Sequence, residues 1–293
     1  MAHVSVIIPL YNKEDAISNT IKSVLQQTYT NFELIIINDG STDRSLEIVK
    51  SINDNRIQIY TKKNGGVSSA RNYGAQKATS PWLLFLDADD RLTPHCIETL
   101  LQLKNEYPKA HILTGNHVSI KSNGEIEICC IGKKKKYIKY PKKDFWEWNF
   151  MPRTGASLYS KEKFIEAGGF DERISIFEDL ALDLKFMNIC IYAYTPEIVY
   201  EHYCEYAELS LTPKPLNKFF PYYIQITNQS FFEKLMLYSV TLATYYKFRK
   251  WNDQEACNYL MSNILLKHKY LYIIHQIYSK YKLYRKRILL SKK

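Results

Sequence analysis

Short apolar runs alternate with amphipathic stretches along the first third of the chain. Four runs, Val4–Pro9, Phe32–Ile37, Ile57–Tyr60 and Trp82–Leu86, are rich in β-branched or other apolar residues and predict short, mostly buried strands. Between them, apolar residues recur every three or four positions, which is the period of a helix that packs on a sheet. Strand, loop and helix follow each other four times. This alternation predicts an α/β fold with a mostly parallel sheet flanked by helices.

The predicted helices differ in how clearly their starts are marked. Asn12 is a plausible N-cap for the first helix, whose first turn carries Glu14 and Asp15. The third helix, Val67–Lys77, is predicted to have an exposed start that includes Arg71. The other helices follow from apolar stripes at Ile17, Ile21, Val24 and Leu25, then at Leu46, Val49 and Ile52, and from a segment between Thr93 and about Asn105.

The alternation of predicted strands and helices ends after the fourth helix. His111–Ile120 and Glu125–Ile131 indicate two strands joined by the turn 122–124, a pattern typical of a β-hairpin. Phe145–Phe150 is dense in aromatic side chains, which form either a wedge in the core or a platform for a sugar ring. Further along, Phe177–Leu180 opens a helix with two acids in its first turn, where carboxylates often act as caps.

Two carboxylates follow the fourth predicted strand. Asp87 and Asp89 come directly after Trp82–Leu86, and ligands bind at the carboxyl ends of strands in open α/β sheets. Because the two acids are two positions apart, an extended backbone aims them the same way, and they can converge on one cation. Hard oxygen ligands suit a Mg²⁺ or Mn²⁺ ion that also holds water and a substrate diphosphate. The alternative is a solvated turn that caps the helix beginning near Thr93.

The charge of the chain is concentrated near its end. The formal net charge is +10 over 293 residues, yet residues 215–293 contain 14 Lys and Arg against three acids, which leaves the preceding part close to neutral. The six cysteines form no Cys-x-x-Cys pair and no zinc-type spacing, which favours reduced thiols. The sequence has no apolar run of membrane-spanning length and no room for a signal peptide before the first strand. We therefore expect a cytoplasmic protein.

Six short motifs in the first 215 or so residues carry a family resemblance. They are Ser5–Asn12, Asn38–Asp43, Ser69–Gly74, Leu86–Asp90, Gly168–Glu172 and Glu178–Asp179. In their order and approximate spacing they resemble family 2 glycosyltransferases, which have the GT-A fold. The resemblance implies a Rossmann-like, mostly parallel sheet and an inverting sugar transfer of the bacterial polysaccharide or glycan type.

The resemblance also implies roles for individual residues. The residues implied to bind the nucleotide-sugar are Pro9, Tyr11, Asn12, Asp39, Arg71, Asp87 and Ala88. A carboxylate at Asp39 that accepts from a ring N–H is consistent with uracil and hence with a UDP-sugar donor. Asp89, with Asp87 beside it, would hold Mg²⁺ or Mn²⁺ on the diphosphate. Asp179 would be the base that deprotonates the acceptor hydroxyl, with Glu178 as its supporting neighbour.

The family pattern also predicts the kind of product and acceptor. A single in-line displacement inverts the anomeric centre, so that an α-linked UDP-sugar gives a β-linked product. The Gln-x-x-Arg-Trp element of processive synthases is missing, which indicates transfer of one or a few sugars. Ser210–Thr212 fits the element expected after Val199, whereas His202 lies farther upstream than that pattern predicts. The expected acceptor is a saccharide or lipid-linked saccharide in cell-surface polysaccharide or lipooligosaccharide synthesis.

The chain is predicted to divide into a catalytic part and a helical tail. We expect a catalytic domain at 1–215, with a nucleotide-binding half at about 1–110 and an acceptor half at about 111–215, followed by a helical region at 216–293. The last segment has an apolar stripe at Leu266, Tyr270, Ile273, Ile277, Tyr281, Tyr284 and Ile288, with basic residues between. Such a helix can lie peripherally on the anionic inner-membrane surface. Packing on the catalytic domain, or on a second subunit in a homodimer, is the open alternative.

Two other functional classes are alternatives. A nucleotidyltransferase-like sugar-nucleotide enzyme shares the sheet and the acids, but it needs a Gly-rich basic loop where Leu10–Lys13 stand. A nucleic-acid-binding protein would use the basic tail, but acids at the strand ends repel a phosphate backbone. We therefore expect no nucleic-acid partner. The missing GxGxxG fingerprint after the first strand argues against a dinucleotide-binding dehydrogenase.

Overall fold

One central sheet with helices on both faces organises the protein. A computed structural model describes residues 3–204 and 213–291, with the side chains of the last helix described as far as Tyr281. The strands are β1 (Val4–Leu10), β2 (Phe32–Asn38), β3 (Ile57–Thr61), β4 (Trp82–Phe85), β5 (Arg91–Leu92), β6 (Ile112–Ile120), β7 (Ile126–Ile128), β8 (Lys136–Ile138), β9 (Ser157–Ser160) and β10 (Tyr192–Tyr203). The helices are α1 (Ile17–Leu25), α2 (Ser45–Ser51), α3 (Val67–Lys77), α4 (Cys96–Glu106), α5 (Pro141–Trp146), α6 (Lys161–Glu166), α7 (Glu178–Ile189), α8 (Phe231–Lys250), α9 (Gln254–Leu260) and α10 (Tyr270–Ser291). The predicted α/β class is confirmed.

The order of the strands in the sheet reverses direction at β1. The order is β3-β2-β1-β4-β9-β6-β10-β5, with β7 beside β6 and β8 beside β10. β1 runs parallel to both β2 and β4, and β2 runs parallel to β3. β9 is antiparallel to its two neighbours, while β6 and β10 are parallel. Because the chain leaves β1 in one direction and returns to its other side with β4, a crevice forms at the carboxyl ends of these strands.

Alternate residues of the parallel strands pack into cores on opposite faces of the sheet. In β1, Val4, Val6 and Ile8 join the core that contains residues of α1, α2 and α4. Ile7 joins the other core, with residues of α3 and α7. Gly74 lets α3 lie close against β1, since a Cβ at this position would lie 2.4 Å from Cγ2 of Ile7. Burial on both faces explains why the strand sequence is continuously apolar.

The second half of the sheet contains the predicted hairpin. β6 and β7 pair in antiparallel fashion, and the N–H of Gly124 donates to the carbonyl of Lys121 at 2.8 Å in the turn. β10 is longer, and its register against β6 shifts twice between Tyr194 and Tyr200. These shifts are local irregularities that change which side chains the end of β10 directs toward the crevice.

Three predictions about helix starts are wrong. Asn12 is not an N-cap, because α1 begins at Ile17 and Asn12 has a φ of 50°. α4 begins at Cys96 rather than near Thr93, since the preceding residues form β5 against β10. The start of α3 is not exposed: Arg71 is buried, because other parts of the chain pack over it.

The C-terminal helices pack against the sheet domain. Leu235 and Leu271, from α8 and α10, are fully buried in the same core as Phe150. The rings of Trp146 and His275 lie 5.7 Å apart and join α5 to α10. Trp146 and Phe150 are buried, as in the core-wedge interpretation of the aromatic segment. Within the described part of the chain, no helix has both the length and the apolar character needed to span a bilayer.

Candidate active site

A cavity of about 720 Å³ lies at the carboxyl ends of β1, β2 and β4, beside the reversal of strand order. Its volume is typical of a small-molecule site. The predicted site residues that line it are Pro9, Tyr11, Asp39, Arg71, Asp87, Ala88, Asp89 and Glu178. The structure therefore brings residues from three strand ends, from α3 and from the start of α7 to one place. Asn12 and Asp179 are each next in sequence to a lining residue.

The loop after β1 contributes both to the cavity and to its support. Tyr11 and Lys13 line the cavity. The side-chain oxygen of Asn12 accepts a hydrogen bond from the N–H of Thr42 at 2.8 Å, and the N–H of Asn12 donates to Oγ of Ser41 at 3.2 Å. Asn12 therefore ties the loop after β1 to the loop after β2. Its contact with a nucleoside stays a prediction.

Asp39 is a buried acid at the end of β2. Its carboxylate accepts hydrogen bonds from Nζ of Lys62 at 2.7 Å, from the N–H of Gly65 at 3.0 Å and from the N–H of Gly66 at 2.8 Å. Gly66 has a φ of 88°, which residues with a side chain rarely adopt, and α3 begins at the next residue. Asp39 thus holds the glycine loop in place. The N–H of Gly65 also lies 3.2 Å from the second carboxylate oxygen, so these three donors engage both oxygens of Asp39.

Arg71 is a buried cation that joins two sides of the cavity. Its Nη2 lies 2.5 Å from Oδ1 of Asp87, and its Nη1 lies 3.0 Å from Oε1 of Glu178. The guanidinium also lies 5.0 Å from the centre of the Phe170 ring. Burial opposes its charge, but Asp87 and Glu178 raise the pKa of Arg71 above its usual value. Arg71 therefore stays charged and fixes the distance between the strand end and α7.

Asp87 and Asp89 are each paired with a protein cation. Burial opposes ionisation of Asp87, yet Arg71 holds the pKa of its carboxyl below the usual value. Asp89 lies 2.8 Å from Nζ of Lys13, and its pKa is raised by burial and by Asp87.

The same two acids have the chemistry of a magnesium or manganese site. No cluster of three or more His, Cys, Asp or Glu side chains in the described ranges is arranged to hold a metal ion. Mg²⁺, however, often takes only one or two carboxylates and completes its shell with water and substrate phosphate. Asp87 and Asp89 fit a divalent ion of this kind, which phosphate oxygens would complete.

Asp90, the third acid after β4, has a structural contact. Its carboxylate accepts hydrogen bonds from the hydroxyl of Tyr200 and, at 2.8 Å, from the N–H of Tyr203. Burial, together with Asp87 and Asp89, raises the pKa of Asp90 well above its usual value. Asp90 therefore fastens the loop after β4 to the end of β10.

The first turn of α7 carries two acids with different surroundings. It follows Phe177, whose φ of 64° turns the chain sharply into the helix. Glu178 lines the cavity, and burial raises its pKa to about 7, with Arg71 opposing the rise and Asp179 adding to it. Oδ2 of Asp179 lies 3.8 Å from Nη1 of Arg153. The predicted base and its supporting neighbour are thus adjacent, but they contact different cations.

Three basic side chains lie near these acids: Arg153, His202 and His117. His202 lines the cavity; burial and then Arg153 lower its pKa, while Asp87 opposes the shift. His117 is fully buried with its pKa lowered to about 3, mainly by burial, and neither ring nitrogen has a hydrogen-bond partner among the described residues. Arg153 stands in no local motif, so the sequence offered no signal for it. His202, which lies in β10, lines the cavity although it stands farther upstream than the family pattern predicts.

Two lysines from the start of the C-terminal region also line the cavity. They are Lys214 and Lys218. The N–H groups of Ser175 and Ile176 donate to the carbonyl of Lys218 at 2.9 and 3.1 Å, which fixes this segment beside the entrance to α7. Lys218 was missed because its charge was assigned to the tail, and Lys214, near the end of the predicted catalytic domain, stands in no motif. The predicted element Ser210–Thr212 lies outside the described residues.

Comparison with known sequences identifies related proteins. Residues 5–168, more than half of the chain, match the family described as Glycosyl transferase family 2. The glycosyltransferase GlyA of Streptococcus pneumoniae is 30% identical over 213 residues, which are 70% of this chain and 30% of that protein. An uncharacterized glycosyltransferase of Haemophilus influenzae is 38% identical over 144 residues, which are 47% of this chain and 56% of that protein. The chain thus spans less than two thirds of the length of these relatives.

Comparison with solved structures supports the fold. The structure of Staphylococcus aureus TarS 1–349 in complex with UDP has a TM-score of 0.64 and 17% identity, covering 85% of this chain and 73% of that one. The complex of the same TarS segment with UDP-GlcNAc has a TM-score of 0.61 and 18% identity, covering 82% of this chain and 66% of that one. The GT-A architecture expected from the motifs is therefore confirmed.

Proposed function

This chain belongs to glycosyl transferase family 2, and we propose that it moves a sugar from a UDP-sugar to a hydroxyl group of a saccharide or lipid-linked saccharide. One observation carries the proposal: a single cavity is lined by Asp39, by the acid pair Asp87 and Asp89, and by Glu178. The proposed setting is cell-surface polysaccharide or lipooligosaccharide synthesis, with one or a few sugars transferred per encounter.

The proposed nucleoside pocket lies between Asp39 and Tyr11. Asp39 is held by Lys62 and the glycine loop, so its carboxylate is positioned before any ligand arrives. We propose that this carboxylate accepts from the ring N–H of uracil in place of its longer contact, at 3.2 Å, with the N–H of Gly65. TarS, which has a similar fold, was solved with UDP and with UDP-GlcNAc, and this supports a UDP-sugar as donor.

Asp89 and Asp87 are the residues proposed to hold Mg²⁺ or Mn²⁺. The three acids at the strand ends are already matched by three cations, in the pairs Asp39 with Lys62, Asp87 with Arg71 and Asp89 with Lys13. Because these charges balance, a diphosphate adds uncompensated negative charge to the cavity. When bound there, a divalent ion supplies the positive charge that stabilises the leaving diphosphate. Lys214 and Lys218 also line the cavity and add positive charge to it.

Asp179 is the proposed general base. Its carboxylate takes the proton of the acceptor hydroxyl while that oxygen attacks the anomeric carbon. The bond from this carbon to the diphosphate oxygen breaks, and the electron pair leaves with UDP. Attack opposite the leaving group inverts the configuration of the anomeric carbon. Glu178 supports the arrangement through Arg71, which also holds Asp87 on the donor side.

A thermal-shift assay tests the identity of the donor and the need for a metal together. We expect the thermal midpoint of the protein to rise with one UDP-sugar in the presence of Mn²⁺, and to rise little with GDP- or CDP-sugars or with EDTA. Asp39→Asn should remove the shift, whereas Asp54→Asn should keep it, since Asp54 pairs with Arg56 outside the cavity. The unliganded midpoint of each variant reports whether its fold is intact. Equal shifts with all three nucleotide classes, or with EDTA, would contradict the proposal.

A further inference from the structure

One face at the C-terminal end carries apolar side chains that point away from the rest of the protein. Leu266, Tyr270, Ile273, Ile277 and Tyr281 recur at intervals of three or four residues and form a row that we call the α10 ridge. Each of these side chains is between 48% and 64% exposed. Single exposed apolar residues are common in proteins, but a continuous row of five marks a contact surface.

The opposite face of the helix fixes the direction of the ridge. Leu271 is fully buried, and Ile274 and Tyr278 pack against the core shared by the sheet and α8. Oγ of Ser239 lies 3.1 Å from Nε2 of His275, which ties α10 to α8. Turning the ridge inward would expose these residues, and so its outward orientation follows from the packing of the other face.

The chain around the ridge is strongly basic. After Glu255 the sequence contains no acid, whereas it contains nine Lys and Arg. Lys269 and Lys280 are exposed and adjoin the ridge on one side, and Lys267 is exposed near its start. An apolar row that is flanked by cations and contains two tyrosines, Tyr270 and Tyr281, is the composition of a helix that lies in the headgroup region of a bilayer.

We propose that the α10 ridge binds a membrane surface rich in anionic lipid. The ridge side chains enter the boundary between headgroups and acyl chains, and the flanking lysines contact the lipid phosphates. A second copy of this chain fits less well, because pairing two ridges would bring two acid-free basic segments together. The ridge is separate from the cavity, so this proposal holds or fails independently of the proposed sugar transfer.

Vesicle cosedimentation of the full chain tests the proposal. The two lipid surfaces are phosphatidylcholine alone and phosphatidylcholine mixed with phosphatidylglycerol, each at low and high salt. We expect binding to the anionic vesicles, weakened by salt, and little binding to phosphatidylcholine alone. Ile273→Gln with Ile277→Gln should lower the partition coefficient about tenfold, because two apolar side chains leave the boundary.

The matched control replaces two equally exposed isoleucines elsewhere. Ile126 and Ile165 are each 64% exposed and lie on β7 and α6, so Ile126→Gln with Ile165→Gln should leave vesicle binding unchanged. Equal thermal midpoints of both double variants confirm that the fold is kept. Wild-type protein that stays in solution with anionic vesicles would overturn the proposal, as would undiminished binding by the ridge variant. A wild-type dimer that the ridge variant loses, in sedimentation equilibrium, would assign the ridge to a second copy instead.

Discussion

The proposed donor and acceptor parts of the site differ in how their charges are satisfied. On the donor side, Asp39, Asp87 and Asp89 each lie within 2.5 to 2.8 Å of a lysine or arginine nitrogen. On the proposed acceptor side, Asp179 and Arg153 are 3.8 Å apart, and both side chains are partly exposed. The acids of the donor side are therefore held by short ion pairs, whereas Asp179 has only a longer contact with its cation.

This difference suits two separate tasks, nucleotide binding by one group of residues and proton transfer by the other. Each of the three acids at the strand ends lies beside a lysine or arginine, an arrangement that suits the recognition of a charged nucleotide. On α7, burial raises the pKa of Glu178 to about 7 and raises that of Asp183 well above its usual value. Groups with pKa values shifted in this way are typical of sites that move protons. Changes on the acceptor side should therefore affect turnover, and changes on the donor side should affect affinity.

The largest expected effect comes from the proposed base. Asp179→Asn keeps the size of the side chain but cannot accept the proton, so we expect kcat to fall about 10²- to 10⁴-fold. The affinity for the UDP-sugar should stay within about twofold, since Asp179 lies on the acceptor side. Turnover assays and calorimetric titration measure the two quantities, with Asp54→Asn as a matched surface control. Undiminished turnover would show that another residue is the base.

A smaller effect is expected from the donor-side acid. Asp89→Asn should weaken binding of the UDP-sugar in Mn²⁺ by about tenfold or more, which is about 1.4 kcal/mol. In EDTA the variant and the wild type should bind with similar affinity, because the acid acts through the metal. Titration calorimetry in both buffers measures the difference. An equal loss in Mn²⁺ and in EDTA would mean that Asp89 acts only through its pair with Lys13.

The last expected effect is on the pH dependence of stability. Glu178 has a pKa of about 7 in the folded protein against a reference value of 4.5, so the folded state holds its proton more tightly than the unfolded state. Its contribution to stability is fully present below about pH 4.5 and is lost as the pH rises through about 7. Relative to Glu178→Gln, the wild type should lose on the order of 1 to 3 kcal/mol of unfolding free energy between about pH 5 and 8.

Urea unfolding at a series of pH values measures this slope. Asp54→Asn is the control. The hydrogen bond with Arg56 lowers the pKa of Asp54 to about 2 in the folded protein, so this carboxyl group does not titrate between pH 5 and 8. A wild-type slope no steeper than that of Glu178→Gln would show that Glu178 is ionised throughout, held by Arg71 as a fixed ion pair.

Local periodicity was sufficient to predict the strands of the parallel half of the sheet. All four strands from β1 to β4 lie within the predicted segments or within one or two residues of them, and α3 begins and ends at the predicted residues. Asp87 and Asp89 were found for the same reason, because they follow a predicted strand directly, whereas Asp39 was assigned through the family resemblance. Helix starts were predicted less well, since the short strand β5 and the φ of Asn12 depend on partners elsewhere in the chain.

The sequence by itself determined the α/β order, the acids at the strand ends and the apolar stripe of the last helix, because these follow from spacing over a few residues. Only the tertiary structure decided that Arg71 is buried between Asp87 and Glu178, the latter 107 positions away, and that Asp90 binds Tyr200, 110 positions away. It also decided which face of α10 turns outward. These features depend on packing between distant segments, whose free energy is a sum over many contacts that no short stretch of sequence contains.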